Sequence, residues 1–534
     1  MTTFNEHRDN DAADVIVVGY GPVGQALSLR LAQLGHQVIV IERWGDLYGL
    51  PRAVGLDHEA LRILQSTGVM HDFSEHMVLS HVYEWRNGQG DVLTAFPGLD
   101  QPSASAWPNR CSFHQPALER LLDERLRSAH RDRARVLNRL TVSRIVAHDD
   151  GVLVQAHPTD NPDAPAHEFR ARYVVGCDGA GSFVRQAMGV SVTDLGFTAD
   201  WLVVDLRPKD PAQWRNDLIQ VCDPNRPTTM VAAGPGRRRF EFMALAHEKK
   251  DDLNNVQTAW GLLAPWGWNP ENAELERHAV YTFRSIVADT WRRGRLMIAG
   301  DAAHLTPPFA AQGLCAGLRD VAALAWRLDA VLRGVAPEAM LDDYSDERRP
   351  HARALVEFAV MLGHIICELD PDAAAQRDLA LQERAKCADQ REPTPRLGPS
   401  ALMRDGDDTS GTLGRQGHVR YQGRTGRFDD VVGSGFVLIG NGHDPLRSLS
   451  RAQRDFLTQI DATVVGVGAE CDVEDIGHTY AQWFETLGCD TVLVRPDYYM
   501  FGSGEASALV SDLMQAWQRS GSQATLRRQP AGEM

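Results

Sequence analysis

The run Gly19-Tyr20-Gly21-Pro22-Val23-Gly24 stands directly behind a β-branched stretch, DVIVV at 14–18, and opens an apolar-periodic segment at 22–34 that Gly35 closes. In that setting a GxGxxG has a physical task. Gly19 permits the tight turn, Gly21 lets a pyrophosphate approach the backbone, and Gly24 lets the helix lie close on the sheet. Pro22 and Val23 fall in the first helical turn, where free N–H groups and the helix dipole favour an anion. Residues 37–41 read as a second strand. At its end Glu42, 18 residues after Gly24, is placed to accept hydrogen bonds from a ribose, with Arg43 beside it. This βαβ unit predicts a dinucleotide site and leaves NAD and FAD both open.

A second segment separates the two. Residues 294–308 form a strand that runs into Gly300-Asp301, then a turn rich in proline (Pro307-Pro308), then a helical stretch at about 313–332. Asp301, at the end of that strand, is placed to bind the ribityl chain of FAD. Gln312, Gly313 and Leu314 would present backbone N–H groups to the flavin pyrimidine ring, where a helix N-terminus stabilises negative charge.

With these motifs in order, and with Cys177-Asp178-Gly179 and Arg185 between them, the chain resembles the FAD-dependent aromatic hydroxylases, the single-component monooxygenases typified by p-hydroxybenzoate and phenol hydroxylases. The stretches PRAVGLD (51–57), FHQP (113–116), WLVVD (201–205) and CDP (222–224) bring it closest to the branch acting on 3-(3-hydroxyphenyl)propionate. The resemblance implies that Gly19, Gly21, Gly24 and Glu42 hold the ADP half of FAD. It implies that Arg52 and Gln115 contact FAD, that Asp178 serves both FAD and NAD(P)H, and that Asp301 binds the riboflavin moiety. Pro307 would line the flavin face beside Gly313. The implied reaction is NAD(P)H-dependent, with one oxygen of O2 passing from a flavin C4a-hydroperoxide to a phenolic ring. A flavin oxidase or dehydrogenase on the same scaffold, and an oxygenase tailoring polycyclic antibiotic intermediates, are the competing readings. Three positions depart from the family pattern: Cys315 stands where Asn is common, Gly181 where Arg or Asn is commoner, and Val54 where phenol hydroxylase has an Asp near the substrate hydroxyl. No acid or base is therefore assigned.

Other residues weigh toward plainer roles. Asp57 reads as a helix cap and His58 as a minor candidate for the substrate cavity. Arg215 and Tyr83 are weak candidates for substrate contact, and Arg237 to Arg239 read as a solvated turn. The net charge of −16 repels a phosphate backbone, which excludes nucleic acid as the expected partner. The eight cysteines show no CxxC and no zinc spacing, so no metal site is expected. No segment has the length and apolarity to span a membrane, and the polar start of the chain carries no export signal, so a cytoplasmic monomer or homodimer is expected.

The elements that must position these residues read as a mixed α/β fold. A Rossmann-like FAD-binding domain is expected over 13–370, with an antiparallel substrate-binding sheet inserted at about 80–110 and 190–290. Residues 1–12 read as a flexible N-terminus, 371–414 as a linker, 415–520 as a thioredoxin-like domain without the dithiol, and 521–534 as a tail.

Overall fold

The structure is a computed structural model that describes residues 11–386 and 394–527. Strand β1 (Ala12–Val18) is followed by helix α1 (Pro22–Gln33) and β2 (Val38–Glu42), and β1 pairs parallel with β2. Val15, Ile16 and Val17 are wholly buried, as a parallel strand covered on both faces requires. On its other side β1 pairs parallel with β3 (His167–Gly176). The turn-rich stretch at 157–167 joins the two strands of a hairpin, since Val152–Pro158 pairs antiparallel with β3.

The inserted sheet is built on two long strands, β4 (Val192–Pro208) and β5 (Ala273–Ala288), joined by Arg238–Met243, Thr228–Ala232 and Leu218–Val221. Val82–Arg86 and Val92–Pro97 complete its far edge, so both expected insertions meet in one sheet. Arg110–Phe113 instead pairs with Gly55–Asp57 and Met77–Val78 in a separate small sheet. After β5 the chain returns to the first sheet as β6 (Leu296–Ile298), parallel to β3, and delivers Gly300 beside the first glycine loop. Helix α2 (His58–Thr67), helix α3 (Gln115–Ala129) and helix α4 (Gly313–Leu332) pack behind that loop, and helix α5 (Met340–Ile366) packs along α4.

The linker reading is corrected. Residues 371–385 form helix α6 (Pro371–Ala385), because Asp370 caps Asp372 and Ala373, Pro371 occupies the first turn, and good helix formers follow. Residues 397–414 are also packed: Gly398 N–H bonds Glu347 O and Leu402 is fully buried. The tail reading is corrected as well, since the last helix, Ala506–Arg527, runs past 520. Residues 1–10 and 528–534, which include most of the expected flexible N-terminus, lie outside the described residues. In the C-terminal region β7 (Val437–Asn441) pairs parallel with β8 (Thr463–Val467) and antiparallel with β9 (Thr491–Val494), and β9 pairs antiparallel with β10 (Met500–Ser503). Among the described residues no helix is long and apolar enough to cross a membrane.

Candidate functional site

The glycines of the first loop do three different jobs. Gly19 has a positive φ of 97°, and a Cβ there would lie 2.5 Å from the carbonyl oxygen of Cys177. A Cβ on Gly24 would lie 2.2 Å from the carbonyl oxygen of Gly19, so the helix sits against the loop only with glycine there. A Cβ on Gly21 would meet no neighbouring protein atom within 4 Å. This glycine opens instead on two cavities, an outer one of about 380 Å³ and an inner one of about 360 Å³. The two share Gly21, Pro22, Arg52, Gln115, Cys177 and Gly179, and so form one continuous cleft along the glycine loop.

The outer cavity takes Glu42, Arg43 and Asp178 into its wall. Glu42 accepts the Tyr20 N–H at 2.6 Å and the Trp44 N–H at 2.9 Å, one on each oxygen, which fixes the carboxylate at the rim and leaves each oxygen a further lone pair. Arg43 lies over the Trp44 ring. Asp178 Oδ2 accepts the N–H groups of Phe183 (2.7 Å) and Val184 (3.1 Å), while its Oδ1 is buried without a hydrogen-bond partner. Burial raises its pKa. Asp178 thereby braces the turn at the cavity wall, and a cleft of about 380 Å³ with Glu42 at its rim and the open Gly21 backbone beside it fits the ribose and pyrophosphate of a dinucleotide.

Gln115 governs the joint between the cavities. Its Oε1 accepts the N–H groups of Arg52 (2.8 Å) and Ala53 (2.7 Å), and its Nε2 donates to Glu119 at 2.6 Å. Sequence reading missed Glu119, although its spacing one helical turn after Gln115 pointed to it. Burial pushes the Glu119 carboxyl up to about 7. A carboxyl raised in the folded state binds its proton more tightly there, so its contribution to stability falls as pH rises from about 4.5 through 7. Glu119→Gln keeps the acceptor and removes the charge. Its apoprotein should gain up to about 3 kcal/mol over the parent at pH 8 and almost nothing at pH 4. Urea midpoints at the two pH values test this, and parallel shifts would refute it.

In the inner cavity Asp301 opens on the cleft at the end of β6; its side chain is exposed to the cleft yet ringed by protein, and this partial removal from bulk water pushes its carboxyl up. Gly300, with φ of 61°, places it there, its N–H held by Asp320 Oδ2 at 2.9 Å. Gly313 and Leu314 at the start of α4 line the same cavity, so first-turn N–H groups without intrahelical partners are at hand. Gln312 caps the helix by position but turns its side chain to Arg319, at 3.0 Å. Asp301→Ala should weaken FAD binding by about 10- to 100-fold, the loss of one charge-assisted hydrogen bond of roughly 1.5–3 kcal/mol. Fluorescence titration of the apoprotein measures it, and unchanged affinity would make Asp301 a loop residue only.

Several expectations are corrected here. Pro307 is buried and does not line the cavity. Its neighbours Thr306 and Pro308 do, because the extended backbone at Pro307 turns alternate residues to opposite sides, and Phe309 joins them from the tight helical turn that Pro308 opens. His58 lies outside the cavity with Nδ1 on Ser105 Oγ at 3.1 Å, and burial lowers its pKa. Asp57 caps α2 through Ala60 N–H, as its position indicated. Cys315 is fully buried with its Sγ toward the Ala311 carbonyl, one layer behind the cavity wall, whereas Val54 lines the cavity. Arg215 is exposed, and Tyr83 lines the inner cavity. Arg238 and Arg239 are not a solvated turn: both are buried in the inserted sheet. Arg239 forms a two-point pair with Asp205 (2.7 and 2.9 Å) and donates to the carbonyls of Pro51 and Arg52, each at 2.7 Å. It thereby clamps the 51–54 loop to the sheet.

A cleft that runs from the glycine loop of a parallel sheet to the face of an inserted antiparallel sheet is the arrangement of a mixed α/β cofactor-binding protein. The family model described as FAD binding domain matches residues 12–359, and a model described as HcaD C-terminal domain matches residues 411–519. The chain belongs to the FAD-dependent aromatic hydroxylases and is an FAD-dependent aromatic monooxygenase that draws on a nicotinamide donor. It is 36% identical over 518 residues to a probable NADH-specific resorcinol 4-hydroxylase of Rhodococcus jostii, covering 95% of each chain. It is 30% identical to the 3-(3-hydroxy-phenyl)propionate/3-hydroxycinnamic acid hydroxylase of Escherichia coli, covering 92% of each. Among solved structures, the flavin-dependent monooxygenase PieE with FAD and substrate superposes with a TM-score of 0.78 at 19% identity, covering 95% of this chain and 99% of that one. Aklavinone-11 hydroxylase gives 0.76 at 23%, covering 97% and 100%.

Proposed function

We propose that this chain hydroxylates a single-ring phenol of the resorcinol or hydroxyphenylpropionate class with NADH as donor. The carrying observation is the size of the inner cavity. Its volume of about 360 Å³ lies near the lower end of small-molecule sites, roughly 300–1,000 Å³, and it must take the flavin ring and the substrate together. A fused polycyclic substrate asks for more room. The relative specific for NADH is the support for the donor.

Bound FAD would supply hydride acceptance, O2 activation and oxygen transfer; the protein supplies place and surroundings. Gly19, Gly21, Pro22, Val23, Gly24, Glu42, Arg43 and Asp178 would hold the adenosine and pyrophosphate half. Arg52, Gln115, Gly300 and Asp301 would hold the ribityl region, and the N–H groups of Gly313 and Leu314 would face the pyrimidine edge. The phenol would lie over Pro308 and Phe309, against Val203, Leu218 and Phe283 of the sheet. Tyr83, Gln220, Thr229, Glu241 and Tyr281 are the polar groups that would meet its substituents. Gln220 and Thr229 already bond each other at 2.7 Å, which fixes their orientation. A panel of phenols scored by stimulated NADH oxidation tests this reading. Stimulation by one-ring phenols is expected, and stimulation by fused-ring compounds alone would refute it.

The C-terminal region is read as thioredoxin-like, supported by strand order β8-β7-β9-β10 with the first pair parallel and the other two antiparallel. The loop between β7 and the following helix, Arg451–Gln459, holds no cysteine. Packing, not dithiol chemistry, is its role in this reading.

A further inference from the structure

Two chains of buried polar groups run from beside the inner cavity toward one residue of the C-terminal region, Tyr499; the first ends in a hydrogen bond to it and the second at Glu59, which faces it. The first begins behind Asp301. The Gly300 N–H donates to Asp320 Oδ2 at 2.9 Å, and His304 Nε2 shares that oxygen at 2.8 Å. Asp320 Oδ1 accepts from Arg348 Nε at 3.0 Å, and Arg348 Nη1 donates to His351 Nδ1 at 2.8 Å. Arginine is only a donor, so His351 must carry its proton on Nε2. That proton points at the Tyr499 hydroxyl oxygen, 3.2 Å away. Burial, then the charges of Arg348 and Arg319, hold the imidazole neutral.

The second chain begins at the mouth of α4. Gln312 Oε1 accepts from Arg319 Nη1 at 3.0 Å, and Arg319 Nε donates to Glu59 Oε2 at 2.6 Å. Glu59 faces the tyrosine: burial first, then the Glu59 charge, drive the Tyr499 pKa far up. Apart from the tyrosine hydroxyl that faces it, the buried Glu59 Oε1 meets no hydrogen-bond partner. Asp320 and Arg348 are fully buried, and His351 and Tyr499 nearly so, so water cannot substitute for a missing link.

We infer that Tyr499 is a positioning residue for the flavin end of the cleft. It closes the chain that sets Gly300-Asp301 and faces the chain that sets Gln312-Gly313, so the docked C-terminal region fixes the spacing between the two segments that would grip the flavin. This inference rests on the reading of the cleft as the FAD site. It gives the C-terminal region a task that needs no thiol. Phenylalanine at 499 keeps the ring in its packing place and removes the hydroxyl acceptor of the His351 Nε2–H, which leaves the imidazole the Pro395 carbonyl alone. The imidazole then turns toward that carbonyl and releases Arg348, and with it Asp320.

The test uses the full chain. Tyr499→Phe should raise the FAD dissociation constant about tenfold or more and change the visible circular dichroism of bound flavin. His351→Gln should do the same, and the double variant should add little to either, as members of one chain behave. Trp517→Phe serves as the comparison. Trp517 donates to Val335 O at 2.8 Å in the same docking contact but outside both chains, so it should lower Tm and leave FAD affinity and the flavin spectrum unchanged. If Tyr499→Phe lowers Tm with affinity and spectrum unchanged, or if the two substitutions are additive, the inference is wrong. A parent chain that takes up no FAD overturns the cofactor reading and this inference together.

Discussion

Gly21→Val should yield a folded, colourless protein. Gly21 has φ of −72° and ψ of 179°, a conformation open to any residue, and no protein atom lies within 4 Å of where its Cβ would be. The fold loses nothing by the change. The added isopropyl group projects into the junction of the two cavities, where the pyrophosphate would pass the helix N-terminus. FAD affinity should fall by about a hundredfold or more, roughly 3 kcal/mol. Gly24→Val is the instructive opposite, since its Cβ would meet the Gly19 carbonyl at 2.2 Å. That variant should lose helix docking and thermal stability along with the flavin. Bound-flavin absorbance and the Tm of each apoprotein measure the contrast. A yellow Gly21→Val protein with parental affinity would show that the cleft holds something other than a dinucleotide at this point.

The contrast also shows what is legible in such a sequence. Local geometry is: the βαβ unit and its glycines follow from a β-branched run, a turn requirement and a helical period, and each lies where those patterns put it. Helix α4 also begins at Gly313 as read, because a turn with two prolines cannot continue a helix. What was illegible depends on partners distant in the chain. Arg239 lies among three arginines that look solvated in sequence, and only pairing with Asp205 and the 51–52 carbonyls shows it buried. Pro307 and Pro308 cannot be told apart by type, since the choice of which one faces the cavity is set by backbone direction. Helix α6 was hidden because its alanines and charges give no deep apolar face, and only the Asp370 cap marked its start. The links through Asp320, Arg348 and His351 join residues of ordinary surface type, and nothing in their spacing announces burial.

A second expected result concerns the fate of oxygen. Phe309 packs edge-on to Phe283 and Trp201, with ring centroids 6.3 and 5.7 Å apart, and forms with Val203 and Leu218 an apolar enclosure. A phenol filling that enclosure expels water from the space above the flavin position, and exclusion of water is what protects a reactive oxygen species from hydrolysis. The first-turn N–H groups of α4 would meanwhile stabilise negative charge on the opposite edge, without help from any acid or base. With an accepted phenol, isotopically labelled O2 should therefore place one labelled atom in each product molecule. NADH consumption should rise at least about tenfold over the rate without phenol, a barrier change of roughly 1.4 kcal/mol. Mass analysis of the product and a peroxide assay decide the matter together. Product without label, or peroxide equal to the NADH consumed with the best phenol found, would make the chain an oxidase that has kept the scaffold and lost the oxygen transfer.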